Sequence, residues 1–301
     1  MSKRLLFGVI VVLIITNVAT LLFLDKEKDT KVHVDDESEK TITSKERVAK
    51  VGDKEIVYED WIASLQKAYG EKHLKEMIDR ELVEQLAEEN NIQINEKLIE
   101  REIYYLATMQ GIMSKSEIEK EEKKWRENAL FRYQLEELLV GDVNIPEQEI
   151  RNHYNTYRSQ YDFKASMQFS HIIVDDFEIA DKVLEELDSG ASFHLLAQEY
   201  SNDDETKNIG GYLGYYTKTS QFIPHKYFEI AESMEEHSYS DPFQTDNGVA
   251  IIYLHRDLPS VTFTYDEIKQ HIKNELALKE LEQPLTTKPL WEQRDIEWIY
   301  E

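Results

Sequence analysis

The sequence predicts an α+β protein: an apolar amino-terminal helix, then a mostly helical region, then a small antiparallel sheet flanked by helices. Three observations lead there. Leu5–Leu24 is an apolar run interrupted only by Thr16, Asn17 and Thr20. Leu74, Met77, Ile78, Leu82 and Leu86 recur at helical spacing, and Leu98, Ile99, Ile103, Leu106 and Met109 do the same, which is the signature of helices with one buried face. Further on, Phe169–Val174 is a compact strand-like run, and Asp246-Asn247-Gly248 is a turn of the kind that joins antiparallel strands.

At 301 residues the chain has room for two domains, and 41% hydrophobic content supplies real cores. The 60 acidic residues against 35 basic ones give a formal net charge of -25. Such a surface repels nucleic acid, and no basic stripe offers a local exception, so a nucleic-acid function is excluded. There is no cysteine. Thiolate nucleophiles, cysteine-ligated metals, disulfides and a lipidated amino-terminal cysteine are therefore excluded.

Taken in order, Lys3-Arg4 precede the first apolar run. About 20 residues at ~1.5 Å each span the ~30 Å hydrocarbon core. With Asp25 and Glu27 after the run, the positive-inside rule puts Lys3-Arg4 in the cytoplasm and everything after Leu24 outside. A cleaved signal peptide is the competing reading. It calls for a shorter apolar core and small residues at a cleavage site. Here the run continues past Ala19 as Leu21-Leu22-Phe23-Leu24, which favours an uncleaved transmembrane anchor over residues 1–24. Residues 25–44 are polar and read as a flexible tether.

Val48–Val57 reads as two short strands around Gly52-Asp53. The two periodic helices follow, then a third over about Ser116–Val140, possible as one piece or two. A fourth opens at Pro146, where proline loses no needed hydrogen bond, and reaches about Tyr161. After the strand at Phe169–Val174 come a helix over Ile179–Leu187, ended by Ser189-Gly190, and a helix over Phe193–Tyr200 capped by Ser192. Thr264-Tyr265-Asp266-Glu267 is a capping box ahead of Ile268, Ile272, Leu276, Leu278 and Leu281. The tail Asp295–Ile299 alternates like a short strand.

The order of blocks from Phe169 to Leu254 carries a resemblance. Phe169-Ser170-His171-Ile172-Ile173-Val174, then Leu196–Asp203, then Gly210-Gly211-Tyr212-Leu213-Gly214, then Asp246–Leu254 resemble a parvulin-type peptidyl-prolyl isomerase domain. The Val-Gly-Asp-Lys-Glu-Ile strand pair and Met77–Val83 are similar to the opening of PrsA- and SurA-type extracytoplasmic foldases. The resemblance implies a chaperone-like helical domain over residues 45–163, an inserted isomerase domain over 164–258, and a carboxy-terminal helix and strand over 259–301 packed back on the first. It also implies exported proteins with X-Pro segments as clients, and neither metal nor other cofactor.

Carried over block by block, the resemblance implies His171, Asp203 and Thr245 as the catalytic set, with Leu213, Phe222 and Phe228 around the proline ring. Tyr227 is an alternative to Phe228, because Gln221–Phe228 is slightly long and its register is open. The family's last strand reads Gly-x-His-Ile, whereas this one reads Gly248-Val249-Ala250-Ile251. The resemblance thus leaves His171 without its partner imidazole, and His255, five residues on, falls on the opposite face of a regular strand. The acidic loop at Asp175-Asp176 argues against a preference for phosphorylated segments. Two function classes stay open. One is a membrane-anchored isomerase and foldase, favoured by the catalytic set. The other is a binding chaperone with a degenerate site, favoured by Ala250.

Overall fold

The computed structural model describes residues 30–33, 39–141, 143–281 and 284–300. The apolar run over 5–24 lies outside them. Among the described residues no helix is long and apolar enough to cross a membrane. They form two compact units, one up to Asp79 with the last residues from Glu297, the other Arg80–Ile296.

The first unit carries two hairpins. β1 (Thr30–His33) pairs antiparallel with β2 (Glu39–Ile42). This pairing lies within the segment expected as a flexible tether over 25–44, of which residues 25–29 and 34–38 lie outside the described residues. β3 (Arg47–Val51) and β4 (Lys54–Val57) form the hairpin expected around Gly52, whose φ of +60° is the left-handed conformation that glycine adopts without a Cβ penalty. α1 (Tyr58–Leu65) follows, then a π-helical turn over Gln66–Gly70 that runs into α2 (Glu71–Glu89). The tail expected as a strand has no strand hydrogen bonding over Asp295–Trp298 and ends in a turn. Five alternating residues encode too little burial to specify one.

The second unit has a helical core and a sheet. α3 (Glu96–Thr108), α4 (Lys115–Val140), α5 (Glu147–Tyr161) and α9 (Tyr265–Leu281) bury Leu98, Ile103, Trp125, Tyr133, Ile150, Ile268 and Ile272 in one cluster. α4 is a single unbroken helix. Its start is fixed by a capping box in which Ser114 and Glu117 satisfy each other's backbone N–H. The part of α2 from Arg80 onward belongs to this second unit, where a smaller cluster joins its Leu82, Val83 and Leu86 to Leu135 of α4 and to Leu290 of α10 (Lys288–Trp291).

The sheet runs β6-β5-β9-β7, with β8 also paired to β9, and every pairing is antiparallel. Its strands are β5 (Ser166–Val174), β6 (Tyr212–Thr217), β7 (Ser238–Tyr239), β8 (Phe243–Thr245) and β9 (Gly248–Leu258). Central strand β5 is buried along its whole length, and its residues alternate between two cores. Ile172 and Val174 meet α6 (Phe177–Asp188) and α7 (Phe193–Tyr200) through Ala180, Val183, Leu187, Leu196 and Ala197. Phe169 and Ile173 meet α8 (His225–Ala231) through Tyr227, Phe228 and Ala231. The sheet is tied to the helices by Arg256, which donates to Glu122 of α4 at 2.8 Å and to Glu236 at 3.3 Å.

Candidate functional site

His171 stands on the α8 face of β5, between Phe169 and Ile173. Its own backbone N–H donates to the Gly211 carbonyl at 2.9 Å. Gly211 needs its missing side chain. Its φ is +73°, and a Cβ there would fall under 3.0 Å from the His171 carbonyl oxygen. The Gly210-Gly211 pair is therefore a close backbone approach, not a phosphate cradle.

The loop after α7 brings Asp203 to the histidine. The Asn202 N–H donates to the Ile173 carbonyl at 2.7 Å, and the buried Ser201 hydroxyl accepts from the Ile173 and Asp203 amides at 3.2 and 3.3 Å. Asp203 Oδ2 then lies 2.7 Å from His171 Nε2 and accepts the Thr206 hydroxyl. The Glu205 N–H donates to Oδ1 at 3.2 Å. An ionised carboxylate only accepts, so Nε2 carries the ring proton. The other ring nitrogen, Nδ1, is 2.9 Å from the Tyr227 hydroxyl of α8. In the neutral ring it accepts, so the phenol donates. The result is one directed chain, Tyr227 to His171 to Asp203, with Thr206 feeding the same oxygen.

The electrostatics agree with that assignment. Burial lowers the His171 pKa, and the hydrogen bond and charge of Asp203 only partly oppose it, so the ring is held neutral near pH 7. Burial alone would raise the Asp203 pKa. The hydrogen bonds from Thr206, His171 and Glu205 outweigh it, and the carboxyl stays below its ordinary value, hence charged. Burial first, and the Asp203 charge second, push the Tyr227 phenol up, so it keeps its proton.

This chain borders a cleft of about 540 Å³. Leu213 lines it, and so do Tyr212, Tyr216, Phe222, Ile223, Pro224, Thr245 and Asn247. Leu213 is the extra residue of a β-bulge, since Phe169 pairs with Gly214 and Ser170 with Tyr212. Such a bulge re-aims a side chain at a site. Phe222 is 89% exposed and hangs over the rim.

The expected set is thus only partly assembled. His171, Asp203, Leu213 and Phe222 come together at the cleft. Thr245 lines it, but its hydroxyl donates to the Gly248 carbonyl at 2.8 Å and clamps the turn. Phe228 is not brought to the cleft: it is 1% exposed and packs its ring 5.5 Å from that of Phe169. Its neighbour Tyr227 lines the cleft, because consecutive helical residues point about 100° apart. His255 is the extra residue of a bulge in β9, where Gln168 pairs with Arg256 and Phe169 with Leu254, and it is bonded to Ser170 on the far face of β5 at 2.8 Å. Tyr212 accepts from the Gln168 amide at 2.9 Å. Thr206, Ser201 and the Gly211 carbonyl went unread in the sequence. Thr206 was findable as the hydroxyl three residues after Asp203, within reach across one turn.

Residues 176–256 match the Rotamase family, described as the PPIC-type PPIASE domain. Over 86% of its length this chain is 35% identical to the "Putative peptidyl-prolyl cis-trans isomerase YacD" of Bacillus subtilis (strain 168), 87% of which is covered. It is 28% identical over 78% of its length to the "Foldase protein PrsA" of Halalkalibacterium halodurans, 71% of which is covered. Among solved structures, PrsA from Bacillus subtilis is 20% identical, with 85% of this chain and 95% of that one aligned and a TM-score of 0.33. With 35% identity over 86% of this chain and 87% of that relative, this chain belongs to the PPIC-type, or parvulin, family of peptidyl-prolyl cis-trans isomerases.

Proposed function

We propose that the chain is a membrane-anchored, extracytoplasmic foldase whose cleft accelerates rotation about X-Pro bonds in exported or envelope proteins. The observation that carries the catalytic part is the hydrogen-bonded chain from Tyr227 through His171 to a charged Asp203 at the wall of a half-apolar cleft. The prolyl amide resists rotation by ~18–20 kcal/mol because conjugation gives the C–N bond double-bond character. Conjugation also puts negative charge on the carbonyl oxygen. With the proline ring against Leu213, Phe222 and Ile223, the preceding carbonyl meets Asp203. A fixed carboxylate there disfavours the planar, charge-separated amide more than the twisted one, and each ~1.4 kcal/mol of that difference is tenfold in rate. The neutral imidazole holds the carboxylate in place without cancelling its charge. No covalent intermediate is needed.

The location rests on the sequence: the apolar run Leu5–Leu24 with basic residues before it and acids after it. The name of the PrsA relatives, foldase, supports the client class. A second reading, a chaperone that grips extended segments without speeding rotation, is favoured by Ala250 on the last strand.

The test is isomerisation of a proline peptide, followed without a coupling protease, by the full chain in mild detergent. Activity that falls at least tenfold in Asp203→Ala and in His171→Ala supports the isomerase. No activity in the parent, together with suppressed aggregation of an unfolded client, supports the chaperone. Because the chain has no cysteine, a single Ser44→Cys change reports the location. Labelling of intact cells by a membrane-impermeant maleimide is expected, and labelling only after lysis refutes the outward placement.

A further inference from the structure

We infer that Tyr227 is the positioning residue that replaces a second ring on the sheet, and that Ala250 is small because the phenol needs its space. This rests on the isomerase reading only for its kinetic consequence. The hydrogen bond itself does not depend on it.

His171 is nearly buried, so each ring nitrogen must find a partner, and an unpaired one carries a desolvation penalty. Asp203 accepts the hydrogen bond from Nε2–H, and Thr206 stands on the same side, 3.2 Å from Nε2. The neighbouring strand β9 brings no donor to Nδ1. Ile173 pairs with Ala250 and His171 with Ile252, so the residues of β9 on this face are alkyl. The donor comes instead from α8, through the Tyr227 hydroxyl.

Ala250 has no exposed surface and sits directly across from Phe243. The Phe243 ring meets the Tyr227 ring edge-on, with centroids 5.6 Å apart. Tyr227, Phe243 and Ala250 thus share one packed cluster, with Tyr227 itself only 1% exposed. A larger residue at 250 would have to displace one of those rings, because cores at crystal-like density have no spare methylene. The methyl at 250 and the phenol at 227 are a matched pair. The phenol sits on a helix that also carries the cleft wall, since Pro224 and Ile223 precede it. A shift of α8 toward or away from β5 therefore moves the proline pocket and the His171 partner together.

The experiment uses the full chain in mild detergent with nitrogen-15 histidine, His171 being assigned by its loss in His171→Gln. In the parent, His171 is expected as a single tautomer, protonated at Nε2, with Nδ1 shifted as a hydrogen-bonded acceptor. Tyr227→Phe keeps the ring and removes only the oxygen. It is expected to move the Nδ1 signal toward that of a free acceptor. It should also lower kcat for a proline peptide about tenfold, the upper end of what one neutral hydrogen bond commands, with KM little changed because the ring still fills its place. Nitrogen shifts that stay put in Tyr227→Phe would overturn the hydrogen bond. Shifts that move without any change in kcat would overturn the positioning role. If the parent itself does not accelerate isomerisation, the isomerase reading falls and takes the kinetic half of this inference with it. The nitrogen shifts still decide the other half.

Discussion

Three glycines within five residues, Gly210, Gly211 and Gly214, all sit at positive φ, at +73°, +73° and +98°, yet an added Cβ would meet different things at each. At Gly214 it would meet nothing within 4 Å, so Gly214→Ala isolates the backbone cost, ~1–2 kcal/mol for a side chain in this region. At Gly210 it would run into the His194 ring, an exposed side chain held by one hydrogen bond with Gln198 at 3.1 Å, so relief by swinging the ring adds little. At Gly211 the obstacle is backbone. The new carbon would press on the His171 carbonyl oxygen and stand 3.0 and 3.2 Å from its carbonyl carbon and amide nitrogen. Relief requires β6 and β5 to separate where Gly211 accepts the His171 N–H at 2.9 Å, so one hydrogen bond of ~0.5–1.5 kcal/mol goes as well. With ~1–3 kcal/mol more for the forced contact with backbone, Gly211→Ala is expected to cost about 3–5 kcal/mol, with Gly210→Ala and Gly214→Ala at about 1–2. Urea melts of the three variants measure this directly. Gly211→Ala should also lose isomerisation at temperatures where it remains folded, because His171 is displaced. A Gly211→Ala melt no worse than that of Gly214→Ala would refute the reasoning, since the two differ only in what the methyl touches.

Two further outcomes are expected. Burial, reinforced by the charges of Arg101 and Arg132, lowers His271 to about 3, and burial with nearby His237 lowers His255 to about 4. A folded value below the ordinary ~6.5 means the unfolded chain takes up protons first as the pH falls. Stability should then be complete above about pH 6.5 and decline below it, by roughly 2 kcal/mol per histidine at pH 5. Urea midpoints at pH 7 and pH 5 test this. A midpoint that does not fall, or falls as much in His271→Gln as in the parent, contradicts it. At the cleft, Phe222→Ala should raise KM for a proline peptide and leave the melt unchanged, whereas Phe228→Ala should cost ~3–5 kcal/mol of stability. The reverse pattern would mean that the pocket wall has been assigned to the wrong aromatic.

Helices were the easiest part of the fold to read, since Leu98, Ile103, Ile268 and Ile272 are buried at the spacing that exposed them in the sequence. β5 was legible as a strand, but its partners were not, because a strand buried on both faces shows no alternation. The paired ribbon at Thr30–His33 and Glu39–Ile42 escaped because its residues are mostly polar. In the site, His171, Asp203 and Leu213 are named only through the resemblance, block by block, and the structure brings all three to the cleft. Tyr227 and Phe228 could not be ordered. Both are aromatic and both are buried, and only the rotation of a seven-residue helix decides which one faces the cleft.

That ambiguity has a physical reason that bears on how the site changes. A histidine partner on β9 would approach His171 along the sheet, where register fixes its distance. A tyrosine on α8 approaches from above, and its distance depends on how the helix packs on Phe169, Ile173, Phe243 and Ala250. The hydrogen bond is retained, but the element that controls it passes from the sheet to the pocket wall. A ring at 227 is useful only with a small residue at 250, and an imidazole at 250 only with a smaller residue at 227. Each single change leaves either an overfilled core or an unpaired buried nitrogen, at a cost of a few kcal/mol. Ala250 read alone looks like the loss of a catalytic group, but the Tyr227 hydroxyl stands 2.9 Å from His171 Nδ1, so that nitrogen has a partner without a histidine on β9.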